Sequence, residues 1–474
     1  MKMIKLSLVV LAASLARGQV YDTVIANGRV MDPESGLDAT RNIGIRDKRI
    51  AAISSSPIEG KMVIDAHGLV VAPGFIDLHS HGQDDENYRF KAHDGVTTAL
   101  ELEIGVWPVA PFYRSREGKA LVNFGASSGH VPARMAVMHD TGDFLPRDQA
   151  AHRVATDEET LSIVNDVRLG LDDGAMGIGF GIAYVPTASR QEILRLFQLA
   201  ADRHVPVFVH MREGVASEPQ SGALPALQEV IADASVTGVS LHVVHLTSVC
   251  AKLTSNCLEM IEGAHKHGVD VTTEMYPYTA SATRIESAIY DGDWEAKSGF
   301  KFHDLQWAAT GERLTAETFA KYRKTGGAVI AHTLPEEALR AGLRSPTVIF
   351  ASDGRLAAGK GHPRSAGTFA RVLGLYVREQ HVISLMDALR RMTLMPAQRL
   401  EPSVPAMRNK GRIKIGADAD LVAFNADRVI DRATFENPAQ YSEGIEQVMV
   451  AGTLVVRNGK FVEGVYPGVG IRTK

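Results

Sequence analysis

Short apolar runs alternate with amphipathic segments along most of the chain. Eight of these runs are typical of buried strands, and they recur at intervals of about 20 to 40 residues. They read GFIDLHSH, TTALELEIG, LVNFGASSGH, AMGIGFGIAY, VPVFVHMRE, SLHVVHLTS, VDVTTEMYPY and TVIFASDG. Strands that are buried on both faces and separated by helices form parallel sheets, and eight such units close on themselves. The pattern therefore predicts an α/β fold with a (β/α)8 barrel, and a doubly wound open sheet is the alternative.

The segment between the fourth and fifth runs indicates how the strands are connected. In SRQEILRLFQLAADRH, the residues Ile193, Leu196 and Phe197 recur at helical spacing and mark one apolar face. Ser189 precedes Glu192 by three residues, which is the signature of a capping box. We therefore predict an amphipathic crossover helix that starts at Ser189.

The two ends of the chain have a different pattern from the middle. The first end contains YDTVIANGRVMD, NIGIRDKRIAAI and KMVIDAHGLVV, and the last contains GRIKIGADADLVAFN and VMVAGTLVVRNGKF. These stretches are strand-rich and are interrupted by Gly, Asn and Asp. Because each end is too short to bury a core alone, we predict one small β-sandwich built from residues 19–72 and 406–474. The barrel, residues 73–405, is then inserted between its two halves.

One irregular insertion interrupts the alternation between the seventh and eighth runs. Residues 282–324 include YDGDWEAKSGFKFHD and show neither the strand nor the helix pattern of their neighbours. Long segments of this kind are either surface loops or covers over a binding site. The sequence leaves both interpretations open.

The first 18 residues resemble an export signal. Lys2 and Lys5 precede an apolar stretch over residues 6–16, which is followed by Arg17 and Gly18. A charged start, a short apolar stretch and a small residue at the break are typical of a cleaved signal peptide, and the stretch is too short for a stable membrane span. We therefore predict cleavage near Gly18, an exported protein that is periplasmic or secreted, and no stable membrane anchor afterwards. A buried first strand or helix is the alternative.

Composition excludes some partners and some kinds of site. The chain has 474 residues, 45% of them hydrophobic, and a formal net charge of −4, so it can bury a large core and offers no basic surface for nucleic acid. It has two cysteines, Cys250 and Cys257. On a single helix they would be two turns apart, beyond the reach of a disulfide, so we interpret both as packing residues. The sequence does not distinguish a monomer from a homo-oligomer.

Ionisable residues end five of the eight predicted strands. In a barrel of this kind, chemistry takes place at the carboxyl ends of the strands, where side chains converge on one mouth. Imidazole nitrogens and carboxylate oxygens are ligands that suit Zn²⁺ and similar divalent ions. The residues concerned are His79 and His81 in the first run, Glu101 and Glu103 in the second, His210 in the fifth, His242 and His245 in the sixth, and Asp353 in the eighth. Together they predict a metal site.

Several motifs, taken together, resemble one known family. PGFIDLHSHG, HMREG, VVHLTS, YPYTASAT, ASDGR and GHPRSAGTFARVLG, and the tail with GRIKIGADADLVAFNADRVIDRATF, are similar to the D-aminoacylase (N-acyl-D-amino-acid deacylase) branch of the amidohydrolase superfamily. The resemblance covers about residues 24–460. It implies a metal-dependent hydrolase in which metal-bound water attacks the amide bond of an N-acyl-D-amino acid. Zinc is the expected metal, as one or two ions, with cobalt or manganese as alternatives.

The resemblance also implies roles for individual residues. Metal-ligand roles fall on His79, His81, His210 and His245, and the role of catalytic acid and base falls on Asp353. His242 lies three residues before His245 and is interpreted as a packing or supporting residue. The metal would lower the pKa of water and polarise the substrate carbonyl, while the carboxylate would accept a proton and return it to the leaving amine.

The chain departs from the family pattern after the second strand. The branch usually supplies a cysteine ligand in a Gly-Asn-Cys-Gly turn after Gly-Val-Thr-Thr, whereas this chain reads GVTTALELEIG. Ile104 takes the place of that cysteine and cannot bind a metal. Glu103 is the first candidate to replace it, and Glu101, two residues earlier on the same face, is the second. A carboxylate in place of a thiolate would make the site harder and favour a bridged metal pair.

The residues expected to hold the substrate depart from the pattern in part. Thr247 stands where the branch often has a lysine, and Ala282 stands where a serine is expected. Arg364 resembles the guanidinium that binds the substrate carboxylate, a task that suits its bidentate geometry. Tyr276 and Tyr278 are candidates to donate a hydrogen bond to the scissile carbonyl, although both could equally be wall residues.

Two other functions remain open. One is a different metal hydrolase on the same scaffold, such as a cyclic-amide hydrolase or a dipeptidase. The fourth run, AMGIGFGIAY, ends without the lysine that types with a carboxylated lysine bridge require. The other is a catalytically silent barrel that only binds, which the full set of histidines and Asp353 disfavours.

Overall fold

The strands and helices below come from a computed structural model that describes residues 20–214 and 222–473. The strands are β1 (Tyr21–Asp32), β2 (Leu37–Arg46), β3 (Arg49–Ser54), β4 (Gly60–Asp65), β5 (Val70–Pro73), β6 (Phe75–Asp77), β7 (Val96–Val106), β8 (Asn123–Gly129), β9 (Ile178–Gly181), β10 (Val207–His210), β11 (Leu241–Val243), β12 (Val271–Met275), β13 (Ser281–Arg284), β14 (Leu305–Trp307), β15 (Ala328–Ala331), β16 (Val348–Phe350), β17 (Leu356–Ala357), β18 (Lys360–Gly361), β19 (Leu421–Phe424), β20 (Ile445–Val450), β21 (Thr453–Arg457) and β22 (Lys460–Phe461).

The α-helices are α1 (Asp85–His93), α2 (Val109–Arg116), α3 (His130–Val137), α4 (Gln149–His152), α5 (Asp157–Asp172), α6 (Arg190–Asp202), α7 (Ala223–Thr237), α8 (Leu246–Cys250), α9 (Thr254–Lys266), α10 (Trp294–Ser298), α11 (Ala316–Thr325), α12 (Glu336–Arg344), α13 (Arg364–Arg371), α14 (Leu385–Met392) and α15 (Leu394–Leu400). The predicted export signal, residues 1–18, lies outside the described residues and stays a prediction. Within the described part of the chain, no helix combines the length and apolar character needed to cross a membrane.

The eight predicted barrel strands form one parallel sheet. Its order is β6-β7-β8-β9-β10-β11-β12-β16, so each strand pairs with the next one predicted from the sequence. The first and last strands meet just beyond their ends, where Ser80 and Gly354 form a parallel bridge and the amide of Asp353 donates to the carbonyl of His79 at 2.7 Å. The predicted barrel is therefore confirmed, and the open-sheet alternative is wrong.

Strands from both ends of the chain pair in a second sheet. Its order is β22-β21-β20-β19-β5-β1-β2-β3, with β4 on β1, and the two halves join where β5 pairs antiparallel with β19. The sheet has an apolar core of its own that includes Ile25, Ile43, Leu421 and Met449. The last residues leave this sheet, since Ile471 packs inside the barrel and its amide donates to the carbonyl of Phe124. The exact domain boundaries stay a prediction.

Helix α6 begins where the sequence predicts, but its cap is only half of the predicted box. The hydroxyl of Ser189 accepts from the amide of Glu192 at 3.0 Å. The Glu192 side chain does not return to the cap; it turns inward to His130 and Arg134, where all three side chains are fully buried. A buried charge partner outcompetes the exposed cap, because an ion in the interior must be paired.

The insertion between β12 and β16 is a folded unit. Strands β13, β15 and β14 form a small antiparallel sheet, and aromatic residues such as Trp294, Trp307 and Phe319 build a core beneath it. The unit forms one wall of the cavity described below. Of the two alternatives for residues 282–324, the cover over a binding site is therefore the correct one, and the simple surface loop is wrong.

The interpretation of the cysteines as separate packing residues is wrong. Cys250 and Cys257 form a disulfide, with their Cα atoms 6.7 Å apart. Cys250 ends α8 and Cys257 lies in α9, and the chain turns between them at Ala251, which has a φ of 41°. The two residues are closer than they would be on one continuous helix, so the premise of the prediction fails.

Candidate metal centre

Four histidines converge on one carboxylate at the mouth of the barrel. Oε2 of Glu103 lies 3.1 Å from Nε2 of His79 and 3.1 Å from Nε2 of His81. Its other oxygen, Oε1, lies 2.7 Å from Nδ1 of His210 and 3.2 Å from Nε2 of His245. Each oxygen of Glu103 therefore faces its own pair of imidazole nitrogens, which is the arrangement of a carboxylate shared between two neighbouring metal positions.

Asp353 lies beside one of the two positions. Its Oδ1 lies 3.3 Å from Nε2 of His81 and 3.5 Å from Nε2 of His79. Its Oδ2 forms an ion pair with Nη2 of Arg364 at 2.9 Å. The ligand atoms fall into two overlapping groups, His79 with Glu103 and His245, and His79 with His81 and Asp353, each compact enough to hold one ion.

The barrel strands place these side chains by their carboxyl ends. His79 and His81 follow β6 and point the same way because they are two residues apart, and His210 is the last residue of β10. His245 follows β11 in a left-handed conformation with a φ of 31°, and Asp353 follows β16 with a φ of 52°. Such conformations are rare for residues with side chains and are found where surrounding contacts fix them, as at functional sites.

A chain of buried hydrogen bonds fixes the orientation of His79. Nδ1 of His79 lies 2.6 Å from Oε1 of Glu274, and Nε2 of His242 lies 3.0 Å from Oε2 of the same carboxylate. A carboxylate only accepts, so both imidazoles donate to it, and Nε2 is the nitrogen of His79 that remains to face Glu103 and a metal. The hydroxyl of Thr272, 2.7 Å from Nδ1 of His242, can then donate. His242 supports the site, one of its two predicted roles.

Glu274 is a residue that the sequence reasoning missed. It lies inside the apolar run VDVTTEM, and a lone acidic residue in a buried strand was the signal that could have identified it. Burial raises its pKa, but the neighbouring His79 and His242 outweigh this effect and lower the pKa to about 2. The residue is therefore ionised at neutral pH.

Glu101 is not part of the shared cluster. Its Oε2 lies 2.8 Å from Nδ1 of His81, the ring nitrogen on the far side from Glu103. The structure therefore does not support the prediction of Glu101 as a metal ligand, because its carboxylate holds His81 in place instead of facing the other histidines. Of the two glutamates, only Glu103 faces all four imidazoles.

The charges of the centre fit a divalent cation. Burial lowers the pKa of His79, but Asp353, Glu103 and Glu274 outweigh it and raise the pKa to about 10. The cluster thus attracts positive charge strongly, and Arg364 is the permanent cation in direct contact with it. Nitrogen and carboxylate oxygen donors within reach of one another are the ligands that Zn²⁺ takes. His79, His81, His210, His245 and Glu103 are therefore the residues that would hold the metal.

A buried ion pair lies directly beneath the centre. Nζ of Lys91 is 2.9 Å from Oδ2 of Asp77 and 2.5 Å from Oγ of Ser352. The other oxygen of Asp77 accepts from the amides of His79 and Ser352, at 3.2 and 2.9 Å. Because Ser352 precedes Asp353, this cluster ties the turn that carries Asp353 to the strand that carries His79.

A cavity of about 270 Å³ opens onto the centre. His81, Glu103, Asp353 and Arg364 form its floor, and Ile104 contributes to the lining. Three parts of the chain form the walls: the insertion with the strand that follows it, the segment after Asp353, and residues before the insertion. The wall residues include Phe144, Leu145, Tyr184, Ala282, Thr283, Arg284, Trp307, Ala308, Ile330, Arg355, Ala357, Lys360, Gly361 and His362. The space is mostly apolar with a few polar groups, as expected for a small-molecule site.

The three predicted substrate residues have different positions. Arg364 lines the cavity, and its buried Nε and Nη1 have no hydrogen-bond partner within residues 20–214 and 222–473. Tyr276 lies behind it, with the guanidinium 4.4 Å from the ring centre. Tyr278 does not line the cavity, because its hydroxyl donates to Asp431 at 3.4 Å; its predicted substrate contact is not supported.

Tyr184 is a second residue that the sequence reasoning missed. It ends the fourth barrel run and lines the cavity beside His210, with the ring centroids 4.9 Å apart. Its hydroxyl accepts from Oγ1 of Thr283 at 3.3 Å, so its own hydrogen remains available to a ligand. The end of a barrel strand was the signal that could have identified it.

Comparisons with known proteins agree with this geometry. A sequence model described as the amidohydrolase family matches residues 62–456. The N-acyl-D-glutamate deacylase of Alcaligenes xylosoxydans xylosoxydans is 30% identical over 92% of this chain and 93% of its own length. The D-aminoacylase of the same organism is 29% identical over 94% of this chain and 97% of its own.

Solved structures of similar proteins have the same fold as this chain. The N-acyl-D-glutamate deacylase from Bordetella bronchiseptica, complexed with zinc and a phosphonate mimic of the tetrahedral intermediate, superposes with a TM-score of 0.80 at 27% identity, covering 96% of this chain and all of that one. A D-aminoacylase described as having a binuclear metal centre superposes with a TM-score of 0.79 at 24% identity, over 95% of this chain and all of that one.

Proposed function

Because this chain belongs to the amidohydrolase family, we propose that it is a metal-dependent hydrolase that cleaves the amide bond of N-acyl-D-amino acids. The observation that carries the proposal is Glu103, whose two oxygens face separate pairs of histidines while Asp353 lies beside one pair. The relatives named N-acyl-D-glutamate deacylase and D-aminoacylase support the substrate class.

The metal positions follow from the donors. His79 and His81, with one oxygen of Glu103, would hold one ion, and His210 and His245, with the other oxygen, would hold a second. Bound zinc lowers the pKa of water towards neutrality and polarises a carbonyl group. Carboxylate in place of thiolate also suits cobalt or manganese, which remain alternatives to zinc.

Asp353 is the proposed base and acid. Its carboxylate is ionised, because burial raises its pKa but Arg364 and the histidines lower it well below the usual value. An ionised carboxylate at the edge of the centre can accept a proton from the attacking water and return it to the leaving amine. The pair with Arg364 holds one oxygen, so Oδ1 is the atom that moves the proton.

Arg364 and Tyr184 would orient the substrate. Nε and Nη1 of Arg364, which have no partner among the described residues, can bind the carboxylate of an amino acid, because buried donors are costly to leave unpaired. The hydroxyl of Tyr184 can donate to the scissile carbonyl from the His210 side of the cavity. With the carboxylate and the carbonyl both fixed, one hand of the amino acid places its side chain into the cavity without a clash.

The proposed protein is exported. The predicted signal over residues 1–18 motivates this, and the disulfide between Cys250 and Cys257 agrees with it, because disulfides persist in oxidising compartments. Appearance of the processed chain in a periplasmic or culture fraction supports the proposal. Full-length chain found only in the cytoplasm would contradict it.

The test combines metal content with stereochemistry. The processed chain is purified, its bound metal is measured by elemental analysis, and N-acetyl-D- and N-acetyl-L-amino acids are assayed side by side. The proposal predicts bound zinc and hydrolysis of the D series. Bound metal without either activity would replace the proposed substrates with cyclic amides or dipeptides, whereas protein that takes up no zinc, cobalt or manganese would overturn the metal site itself.

A further inference from the structure

A short hairpin beside the centre points one of its faces into the cavity. Strand β17 pairs antiparallel with β18, with Leu356 opposite Gly361 and Ala357 opposite Lys360. Because side chains alternate along a strand and cross-strand partners share a face, Arg355, Ala357 and Lys360 project from the same side. All three line the cavity, whereas Leu356 is buried on the other side.

The hairpin is held in place from below. Oε1 of Glu86 accepts from the amide of Gly359 at the tip, at 2.7 Å. The side-chain amide of Asn87 forms two hydrogen bonds with the backbone of Leu356, at 2.8 and 3.1 Å. Both anchors come from helix α1, so the cavity face of the hairpin is positioned before any ligand arrives.

The two cations on this face have no carboxylate partner in the part of the chain that the structure describes. Among the described residues, no Asp or Glu oxygen lies within ion-pair distance of Arg355 or Lys360. A third cation of the same cavity, Arg284, differs, because its Nη2 pairs with Glu286 at 2.6 Å. Like charges close together on one face of a hairpin repel each other, so an anion between them would be favourable.

Arg355 also lies close to the catalytic centre. Its guanidinium carbon is 5.2 Å from the centre of the Phe144 ring. That ring meets the imidazole of His81 edge to face, with the centroids 5.2 Å apart. A single aromatic ring thus separates the guanidinium from a predicted metal ligand, which is a spacing that one substrate molecule can bridge.

We propose that Arg355 and Lys360 bind a second carboxylate of the substrate, so that the preferred substrates are N-acyl-D-amino acids that carry two carboxylates. This inference rests on the proposed function, in which Arg364 binds the first carboxylate. The second can belong to the amino-acid side chain or to a dicarboxylic acyl group, which extend from opposite sides of the scissile amide, and the experiment below distinguishes the two.

The experiment compares substrates whose second group is a charged carboxylate with substrates of nearly the same shape whose second group is neutral; all of them keep the first carboxylate. N-acetyl-D-glutamate is assayed against N-acetyl-D-glutamine, and N-succinyl-D-alanine against N-butyryl-D-alanine, with the metal-loaded enzyme. One charge-assisted contact is worth enough to raise kcat/KM for the charged member by about tenfold. The pair that shows this preference identifies the source of the carboxylate. The KM of the preferred substrate should rise with ionic strength, because the contact is exposed.

Two double variants separate local binding from overall charge. In R355Q/K360M, the charged-to-neutral ratio of kcat/KM should fall towards one through a higher KM for the charged substrate. R457Q/K266M removes the same charge from exposed positions that do not line the cavity, and it should keep the ratio.

The outcomes distinguish a failure of this inference from a failure of the proposed function. Equal hydrolysis of charged and neutral D-substrates, or an unchanged ratio in R355Q/K360M, would overturn the second carboxylate and leave the proposed deacylase intact. If the metal-loaded enzyme hydrolyses none of the four substrates, the proposed function fails and this inference fails with it.

Discussion

Two buried clusters of histidine and carboxylate in this barrel use their charges differently. The first lies between α3 and α6, where Oε1 of Glu192 is 2.7 Å from Nε2 of His130 and Oε2 is 2.5 Å from Nη1 of Arg134. The same guanidinium also donates to the carbonyls of Ala150 and Arg153, at 2.9 and 2.6 Å. This cluster contains its own cation, and the carboxylate is satisfied without a ligand.

The second cluster is the candidate metal centre. Glu103, Glu101, Glu274 and Asp353 all lie against histidines there, and Arg364 is in direct contact with one of them. Buried carboxylates need compensation by a cation. Burial of histidine together with carboxylate therefore does not by itself indicate a functional site. A site is indicated when the buried carboxylates outnumber the cationic side chains beside them. The remaining negative charge is then compensated by protonation of the imidazoles or by a metal ion.

The largest expected effect is at Asp353. D353N keeps the size of the side chain but removes the base, so kcat/KM should fall by about 10² to 10⁴. Zinc content should stay unchanged, since His79, His81 and Glu103 remain. Kinetics and elemental analysis on the same preparation check this, and turnover near the wild-type rate would remove Asp353 from its proposed role.

The first cluster should respond in the opposite way. E192Q leaves Arg134 as an uncompensated buried cation, which should lower the free energy of unfolding by about 3 to 5 kcal/mol. Zinc content and KM should not change, because this cluster does not line the cavity. Urea unfolding and kinetics measure the two quantities, and a variant that loses zinc while staying folded would show that the clusters are not independent.

The loss of stability expected for E192Q depends on pH, and the direction of that dependence follows from the pKa of Glu192. Burial raises the pKa of Glu192, but His130 and Arg134 lower it below the model-compound value of 4.5. A carboxylate with a depressed pKa in the folded state contributes stability above the unfolded pKa and loses it as pH falls through the folded value. The difference in unfolding free energy between wild type and E192Q should therefore be full at neutral pH and shrink below about pH 4.5.

The smallest effect concerns the disulfide beside the sixth barrel strand. C250S removes the constraint on a short loop, which should lower the free energy of unfolding by about 2 kcal/mol. Cys250 ends the helix that follows His245 and is not one of the proposed metal-holding residues, so zinc content should be kept. Urea unfolding of wild type and C250S measures this difference. Equal free energies of unfolding would show that the thiols are not paired in the purified protein.

Much of the fold could be predicted, because it depends on periodic signals. The eight barrel runs are short apolar stretches separated by amphipathic helices, and they appear in the predicted order. His79, His81, His210, His245 and Glu103 follow the same logic, since barrel strands deliver their last residues to one mouth. Alternation also identified Glu101 and Glu103 as sharing one face, but it could not indicate which imidazole nitrogen each would reach.

What could not be predicted depends on contacts between distant segments. Glu192 has the spacing of a capping residue, yet a buried arginine from another helix draws it inward. Ser352 contacts Lys91 and Asp77 across the barrel seam, and no local pattern indicates those contacts. The cysteines meet because the chain turns at Ala251, and Tyr278 points away because Asp431 accepts its hydroxyl.

The central claim is that Glu103 is the ligand shared by two metal positions, and the most direct measurement is a calorimetric zinc titration of the metal-free protein. Glu101 provides the matched control, because it is the same residue type on the same strand. E101Q should keep two bound zinc ions with affinity lowered by about 10- to 100-fold, as for residues that orient a ligand. E103Q should lose at least one of the two ions. Two zinc ions bound to E103Q with wild-type affinity would contradict the account.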